Sequence, residues 1–202
     1  MIRKGMSVMY EKWIKRYLDT AIALLALPFV TLIMIPVGIA IKIEDGGDIF
    51  YLSKRYGIHM KKFKMIKFRT MKMNAPDIRN QDGSTYNSAD DSRLTKVGSF
   101  LRKNSIDEIP QLINVLFGDM SLVGPRPSPM GNETTYTDFV KQKFDVRPGI
   151  TGYNQALLRN SATLEERYKN DVFYAQNISF MFDVKILCMT VKAVIKHSNI
   201  YH

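Results

Sequence analysis

Thiols, imidazoles and nucleotide-loop signatures are scarce in this chain of 202 residues, and each scarcity removes a class of chemistry. The one cysteine, Cys188, permits no internal disulfide framework, which fits a reducing, cytoplasm-facing location. It falls in an apolar stretch and reads as a plain core thiol. The three histidines, His59, His197 and His202, lack Cys or carboxylate neighbours at ligand spacing, so no zinc site is legible. No Walker loop, GxGxxG, HExxH or GxSxG sequence occurs.

Acidic residues are also in deficit. There are 19 Asp and Glu against 29 Lys and Arg, a formal net charge of +10 with a pI near 9.6, so the partners are anionic. Nucleic acid, anionic lipid and phosphorylated metabolites all qualify. Nucleic acid fits least, because a reading helix and a base-stacking motif are both missing and the positive charge gathers around an apolar run.

Charge is missing altogether from Thr20 to Ile41, 22 residues long enough at about 33 Å of straight helix to cross a bilayer. No small-residue cleavage pattern follows, so the run reads as a permanent anchor. Residues 1–19 place Arg3, Lys4, Lys12, Lys15 and Arg16 beside Tyr10, Trp13 and Tyr17, the pattern of a basic segment at a headgroup surface. An ordinary amphipathic start has the same composition. Both flanks of the run are basic, so neither is marked for the outside, and Pro28 and Pro36 each strain a helix. A re-entrant hairpin and a kinked span both satisfy these facts, the hairpin better.

Residues 42–202 then form one domain with a core of its own. From Lys42 to Lys72 nine basic residues face Glu44, Asp45 and Asp48. Gly46-Gly47 marks a turn, and residues 48–52 and 63–68 read as two short strands, paired as a hairpin. Lys67 and Arg69 share one strand parity, which suits a phosphate grip or two solvated edge cations. The polar stretch 74–93 reads as a flexible loop, a candidate lid. Short helices are predicted over 94–102 and up to Gly118, with others from Thr134, over 164–175 and over 179–196. The last carries an apolar stripe of Phe180, Val184, Leu187, Cys188, Val191, Val194 and Ile195 beside Lys185, Lys192 and Lys196. Such a helix lies in a membrane surface or packs on the core. Asp183 falls on its apolar side, where a carboxylate needs a partner.

The chemistry concentrates at Asp107-Glu108. Ser105-Ile106-Asp107-Glu108 has the spacing of a helix capping box. Pro110 opposes that reading, since a helix begun at Ser105 would lose a backbone bond there, whereas one begun near Pro110 leaves both carboxylates at its mouth. In the second case the helix end and Arg102 hold Asp107 ionised as a nucleophile toward phosphorus, Glu108 can hold Mg²⁺, and Arg126 offers a planar phosphate fork between two prolines. A membrane-anchored scaffold without catalysis is the competing reading, with Ser105 to Glu108 then a mere cap.

Five features in order complete the picture: the basic apolar N-terminal segment, FKMIKFRTM (63–71), SIDEIPQL (105–112), GDMSLVGPRP (118–127) and RPGITG (147–152). Together, over about residues 9–197, the chain resembles the bacterial sugar transferase family, small monotopic polyprenyl-phosphate phosphoglycosyl transferases that begin glycan assembly. The resemblance implies an α+β, mainly helical monotopic protein with a re-entrant membrane helix, amphipathic interfacial helices and a short β-hairpin. It would sit on the cytoplasmic face of the bacterial inner membrane. It implies a two-step reaction in which Asp107 attacks a UDP-sugar, releases UMP and passes the phosphosugar to polyprenyl (undecaprenyl) phosphate, with Glu108 as Mg²⁺ ligand. By position, Lys67, Arg102, Arg126, Arg159, Asp171 and Asp183 match family residues near the active site, and Arg147 belongs to the fifth motif, placed with phosphate binding. Implied partners are the UDP-sugar, the polyprenyl phosphate and membrane lipid. The chain departs from the family pattern at Thr31-Leu32, where members often carry a helix-breaking Ser-Pro. It departs again at Gly152-Tyr153-Asn154-Gln155-Ala156, where Gly-Leu/Trp-Ala-Gln-Val is commoner and sugar selection is at stake.

Overall fold

The computed structural model of the chain describes residues 9–78, 86, 88, 91–158 and 161–195, with the side chain of Lys12 outside that description. Half of the proposed 74–93 loop, Arg159 and Lys196 therefore fall outside it. The architecture is mostly helical with a small sheet. After a π-helical turn, Tyr10–Ile14, comes α1, Lys15–Asp45, a 31-residue helix long and apolar enough to cross a membrane. Both prolines lie inside it, and it ends at Gly46 in the left-handed conformation that glycine adopts without strain.

Strands β1, Phe50–Tyr56, and β2, Lys62–Phe68, form the expected antiparallel hairpin, with Phe50 opposite Phe68 and Tyr56 opposite Lys62. The first strand starts and ends later than the sequence predicts. Helix α2, Lys96–Lys103, is capped by Thr95, whose Oγ1 accepts from the Gly98 N–H at 2.9 Å. Helix α3, Gln111–Phe117, ends at Gly118 as predicted. Strand β3, Ser121–Val123, pairs in parallel with β5, Gly149–Thr151, while the two-residue β4, Ser128–Pro129, adds to the far side of β1. Between them lies α4, Asp138–Lys141, and after them α5, Tyr153–Leu157, α6, Leu164–Gln176, and α7, Phe180–Ile195.

Both ends of α1 pack on the rest of the chain. Ala23 is buried in a cluster with Met65, Val115 and Met120, and Ile41 in another with Phe68 and Leu101. Between them Leu24, Leu25, Phe29, Leu32, Ile33, Ile35 and Ile39 stay exposed, as a lipid-facing helix requires. Glu44, near its end, accepts the Lys96 and Val97 N–H groups at the start of α2. A third cluster joins Tyr10, Val123, Tyr174 and Ile186, tying the π-helical turn to α6 and α7.

Two sequence readings are corrected here. Lys15 and Arg16 do not face lipid headgroups: Lys15 is buried against Asp183, and Arg16 donates to the Val115 and Leu116 carbonyls at the end of α3. Trp13 and Tyr17 keep the predicted exposure. Cys188 is exposed rather than a core thiol, because α7 buries Asp183 and Ile186 and turns Phe180, Met181, Val184, Leu187, Val191 and Ile195 outward.

Candidate active site

Three backbone devices assemble the site. The first is the turn between α2 and α3. Ser105 has φ 56° and ψ 23°, left-handed backbone in which its side chain makes no cap, so the capping-box reading is corrected. A single 3₁₀ turn, Ile106–Glu108, follows, and Pro110 stands at the start of α3. The two carboxyls thus sit on a tight turn ahead of that helix.

The second device is the registration of β2 against α3. Strand β2 is the edge of its sheet, and Asn114 covers that edge. Its Oδ1 accepts the Ile66 N–H at 2.9 Å and its Nδ2 donates to the Lys64 carbonyl at 2.8 Å. A buried amide thereby replaces a missing strand and aligns Lys67 with the turn. Sequence reasoning missed Asn114, although a lone amide inside Leu112-Ile113-Asn114-Val115-Leu116 was a sign of a buried partner.

The third is the meeting of GPRP and RPGITG. A Cβ on Gly124 would lie 2.3 Å from the Arg147 carbonyl oxygen, one on Gly149 2.1 Å from the Gly124 nitrogen, and one on Gly152 2.1 Å from the Gly124 oxygen. Glycine is required at all three, because the β3 and β5 backbones touch there. Pro125-Arg126-Pro127 is then stretched between β3 and β4, fixing where Arg126 starts.

These devices bring together Lys67, Glu108 and Arg126, with Asp107 alongside. Lys67 Nζ donates to Glu108 Oε1 at 2.6 Å, and Arg126 reaches the same oxygen at 3.5 Å from a half-exposed position. Arg69, predicted to share Lys67's face, turns away to Asp45 and the Asp48 carbonyl. Arg102 donates from Nε to Thr70 Oγ1 at 3.1 Å and acts on Asp107 through its field.

Burial drives both acids toward their neutral forms, with opposite outcomes. At Glu108 the charges and hydrogen bonds of Lys67 and Arg126 overcome it and hold the carboxyl below its ordinary range. At Asp107 burial prevails over Lys67, Arg102 and Arg126, and the neighbouring Glu108 charge adds to it, so the carboxyl is raised. The expectation that its surroundings lower Asp107 is therefore corrected. The group is a more basic carboxylate than usual, which favours nucleophilicity once ionised.

The remaining predicted residues occupy a supporting ring. Asp171 is buried in an ion pair with Lys143, and that burial raises its carboxyl against the opposing charges of Lys143 and Arg126. Asp183 has the partner it needs, indeed three: Lys15 at 2.6 Å, Tyr10 at 2.7 Å and Tyr174 at 2.6 Å. Arg147 donates from Nε to the Gly118 carbonyl at 3.1 Å, beside Arg16 at the end of α3.

Among the described residues no cluster of three or more His, Cys, Asp or Glu gathers. Magnesium bound by one or two carboxylates and substrate phosphates needs no such cage. The donor set fits it: both cations address Oε1 of Glu108, leaving Oε2 and the adjacent Asp107 as hard oxygen ligands.

Residues 10–197 match the family described as bacterial sugar transferase. The chain is 41% identical over 187 residues to the uncharacterized sugar transferase EpsL of Bacillus subtilis, covering 93% of this chain and 90% of that protein. It is 38% identical over 191 residues to the exopolysaccharide production protein ExoY of Sinorhizobium fredii, covering 89% and 84%. It is also 36% identical over 189 residues to the UDP-glucose:undecaprenyl-phosphate glucose-1-phosphate transferase of Escherichia coli, covering 90% of this chain and 40% of that longer protein. Matched over nearly its whole length, and over nearly the whole of EpsL, the chain belongs to the bacterial sugar transferase family.

Proposed function

We propose that this chain is a phosphoglycosyl transferase that moves a sugar phosphate from a UDP-sugar to undecaprenyl phosphate at the membrane surface, the first membrane step of glycan assembly. The observation that carries the reading is the raised, buried carboxyl of Asp107 next to a Glu108 already paired with Lys67 and Arg126. The activity in the name of the E. coli relative supports it.

In the first step an ionised Asp107 oxygen attacks the phosphorus that bears the sugar. The bond from that phosphorus to the bridging oxygen breaks, and UMP departs with the electron pair. In the second step an oxygen of undecaprenyl phosphate attacks the same phosphorus, forming the diphosphate and restoring the Asp107 carboxylate. Arg126 and Lys67 bind the negative oxygens and orient the diphosphate for in-line attack. Mg²⁺ held by Glu108 would supply charge neutralisation of the diphosphate.

The membrane geometry supports a re-entrant α1. Ala23 and Ile41 are 18 positions apart, about 27 Å along a straight helix. Their clusters contain Met65 and Phe68, three positions apart on β2, about 10 Å. A chain bent near Pro28 or Pro36 brings both ends to one face, which would be the cytoplasmic one. The outward apolar stripe of α7 supports an interfacial helix on that face.

Asp107→Asn tests the reaction. It is expected to reduce UMP release from a panel of UDP-sugars with short polyprenyl phosphate by at least about a thousandfold, with folding retained. Full turnover by the variant would end the assignment. Trapping with labelled donor should map a phosphosugar adduct to residue 107.

A further inference from the structure

Tyr51 stands directly opposite Lys67 in the β1–β2 ladder, so both side chains leave the same face of the hairpin with their Cβ atoms about 5 Å apart. The next pair along that face, Ser53 opposite Met65, is buried, with 8% and 4% exposure. The face is therefore covered as far as that pair and opens at Tyr51, beside the ammonium that holds Glu108 at 2.6 Å. Tyr51 is 56% exposed and, among the described residues, has no hydrogen bond, ion pair or ring contact.

Phe50 and Leu52 on either side are exposed as well, at 38% and 52%. Three consecutive exposed apolar or aromatic side chains are a liability in water and call for an apolar neighbour. The lipid-facing helix is at hand. Ile49 packs on α1, where a Cβ added at Gly38 would lie 3.3 Å from the Ile49 Cδ1 atom, and Ile35, Ile39 and Ile43 in the same stretch of α1 are exposed. Phe50-Tyr51-Leu52 thus leads from the apolar helix to the lysine beside Glu108.

We infer that this segment is where polyprenyl phosphate approaches: its first prenyl units rest on the Tyr51 ring while its phosphate reaches Lys67. The role rests on the proposed function and deepens it, by giving the acceptor an approach distinct from that of the donor, whose diphosphate Arg126 binds. A hydrocarbon chain ending in an anion matches an apolar run ending at an ammonium. A UDP-sugar has no chain to lay along that run.

The test separates the two substrates. In a two-step reaction with a covalent intermediate, kcat/KM for each substrate reports its own step. With the full chain in detergent, Tyr51→Ala is expected to lower kcat/KM for a short polyprenyl phosphate about tenfold or more, through a raised KM. The value for the UDP-sugar should stay within about twofold of the parent. Tyr51→Phe should restore the acceptor value, because the ring and not the hydroxyl makes the contact.

Unchanged acceptor kinetics in Tyr51→Ala would overturn the inference. So would an equal fall for both substrates, which marks a general loss of shape, or a fall for the donor alone, which marks a ring stacked on the nucleotide. Should Tyr51→Ala misfold, Tyr51→Gln keeps a long side chain and removes the apolar ring, and its folded form must show the same selective loss. A parent protein that transfers phosphosugar while these variants match it refutes only the role of Tyr51. A parent protein that releases no UMP from any UDP-sugar refutes the proposed function, and this role with it.

Discussion

Lys15–Asp183 and Lys67–Glu108 are both ammonium–carboxylate pairs at 2.6 Å, and distance does not tell them apart. Their surroundings do. Asp183 is sealed: two tyrosine hydroxyls complete its shell, and the paired side chains are 9% and 6% exposed. Glu108 is left open, with 15% and 22% exposure, a half-exposed arginine at long range, and a second carboxyl one residue away that the same cations do not bond. A closed pair fastens the N-terminal turn to α6 and α7. On the proposed function, the open pair would hold charge in readiness for the donor's phosphates.

The strongest test of that difference is to neutralise each acid. Glu108→Gln should lower the rate of UMP release by about a hundredfold to a thousandfold while leaving thermal stability almost unchanged. Asp183→Asn should do the reverse. It strands the buried Lys15 charge, a loss of about 3–5 kcal/mol, read as a fall in the unfolding temperature of the detergent-solubilised protein. If Glu108→Gln unfolds the protein and Asp183→Asn merely slows it, the two pairs have been assigned the wrong way round.

Double replacement sharpens the contrast at a smaller scale. Lys15→Met with Asp183→Leu removes both charges of the sealed pair. Stability is expected to return to within about 1–2 kcal/mol of the parent, since apolar packing can stand in for a buried ion pair. Lys67→Met with Glu108→Leu is expected to fold at least as well and to stay inactive, because no packing replaces a phosphate grip. Recovered activity there would remove Lys67 and Glu108 from the chemistry.

How much of this was legible in sequence follows the same division. The open site was legible because its parts are short, contiguous motifs: Asp107-Glu108, Pro125-Arg126-Pro127 and Lys67 on a recognisable strand. The closing glycine at Gly118 and the need of Asp183 for a partner were legible too, from helix chemistry and from a charge on an apolar face. Direction was not legible. Composition counts Lys15 and Arg16 as interfacial cations, and only the fold shows them turned inward to Asp183 and the end of α3. Cys188 failed for the converse reason, since an amphipathic stripe looks the same whether it faces a core or a bilayer. Ser105 matched a capping spacing whose backbone angles exclude the cap. The Lys143–Asp171 ion pair joins residues 28 apart across a helix-rich segment, and no local pattern announces it.

A third pair extends the comparison to its weakest member. Asp45 and Arg69 join the end of α1 to the end of β2, with the Asp45 side chain 24% exposed. Hydrogen bonds from Arg69 hold the Asp45 carboxyl down at about 2, below an ordinary value of 3.8. A carboxyl depressed on folding binds its proton more readily when unfolded, so the pair stabilises the fold above about pH 4 and loses that contribution as pH falls toward 2. Exposure to water limits the contribution to under about 1 kcal/mol. Asp45→Asn should therefore lower the unfolding temperature slightly at pH 7, and the gap between variant and parent should shrink steadily between pH 4 and pH 2. A gap that is constant across that range would mean that Asp45 acts through its shape at the helix end, and that openness alone does not rank these three pairs.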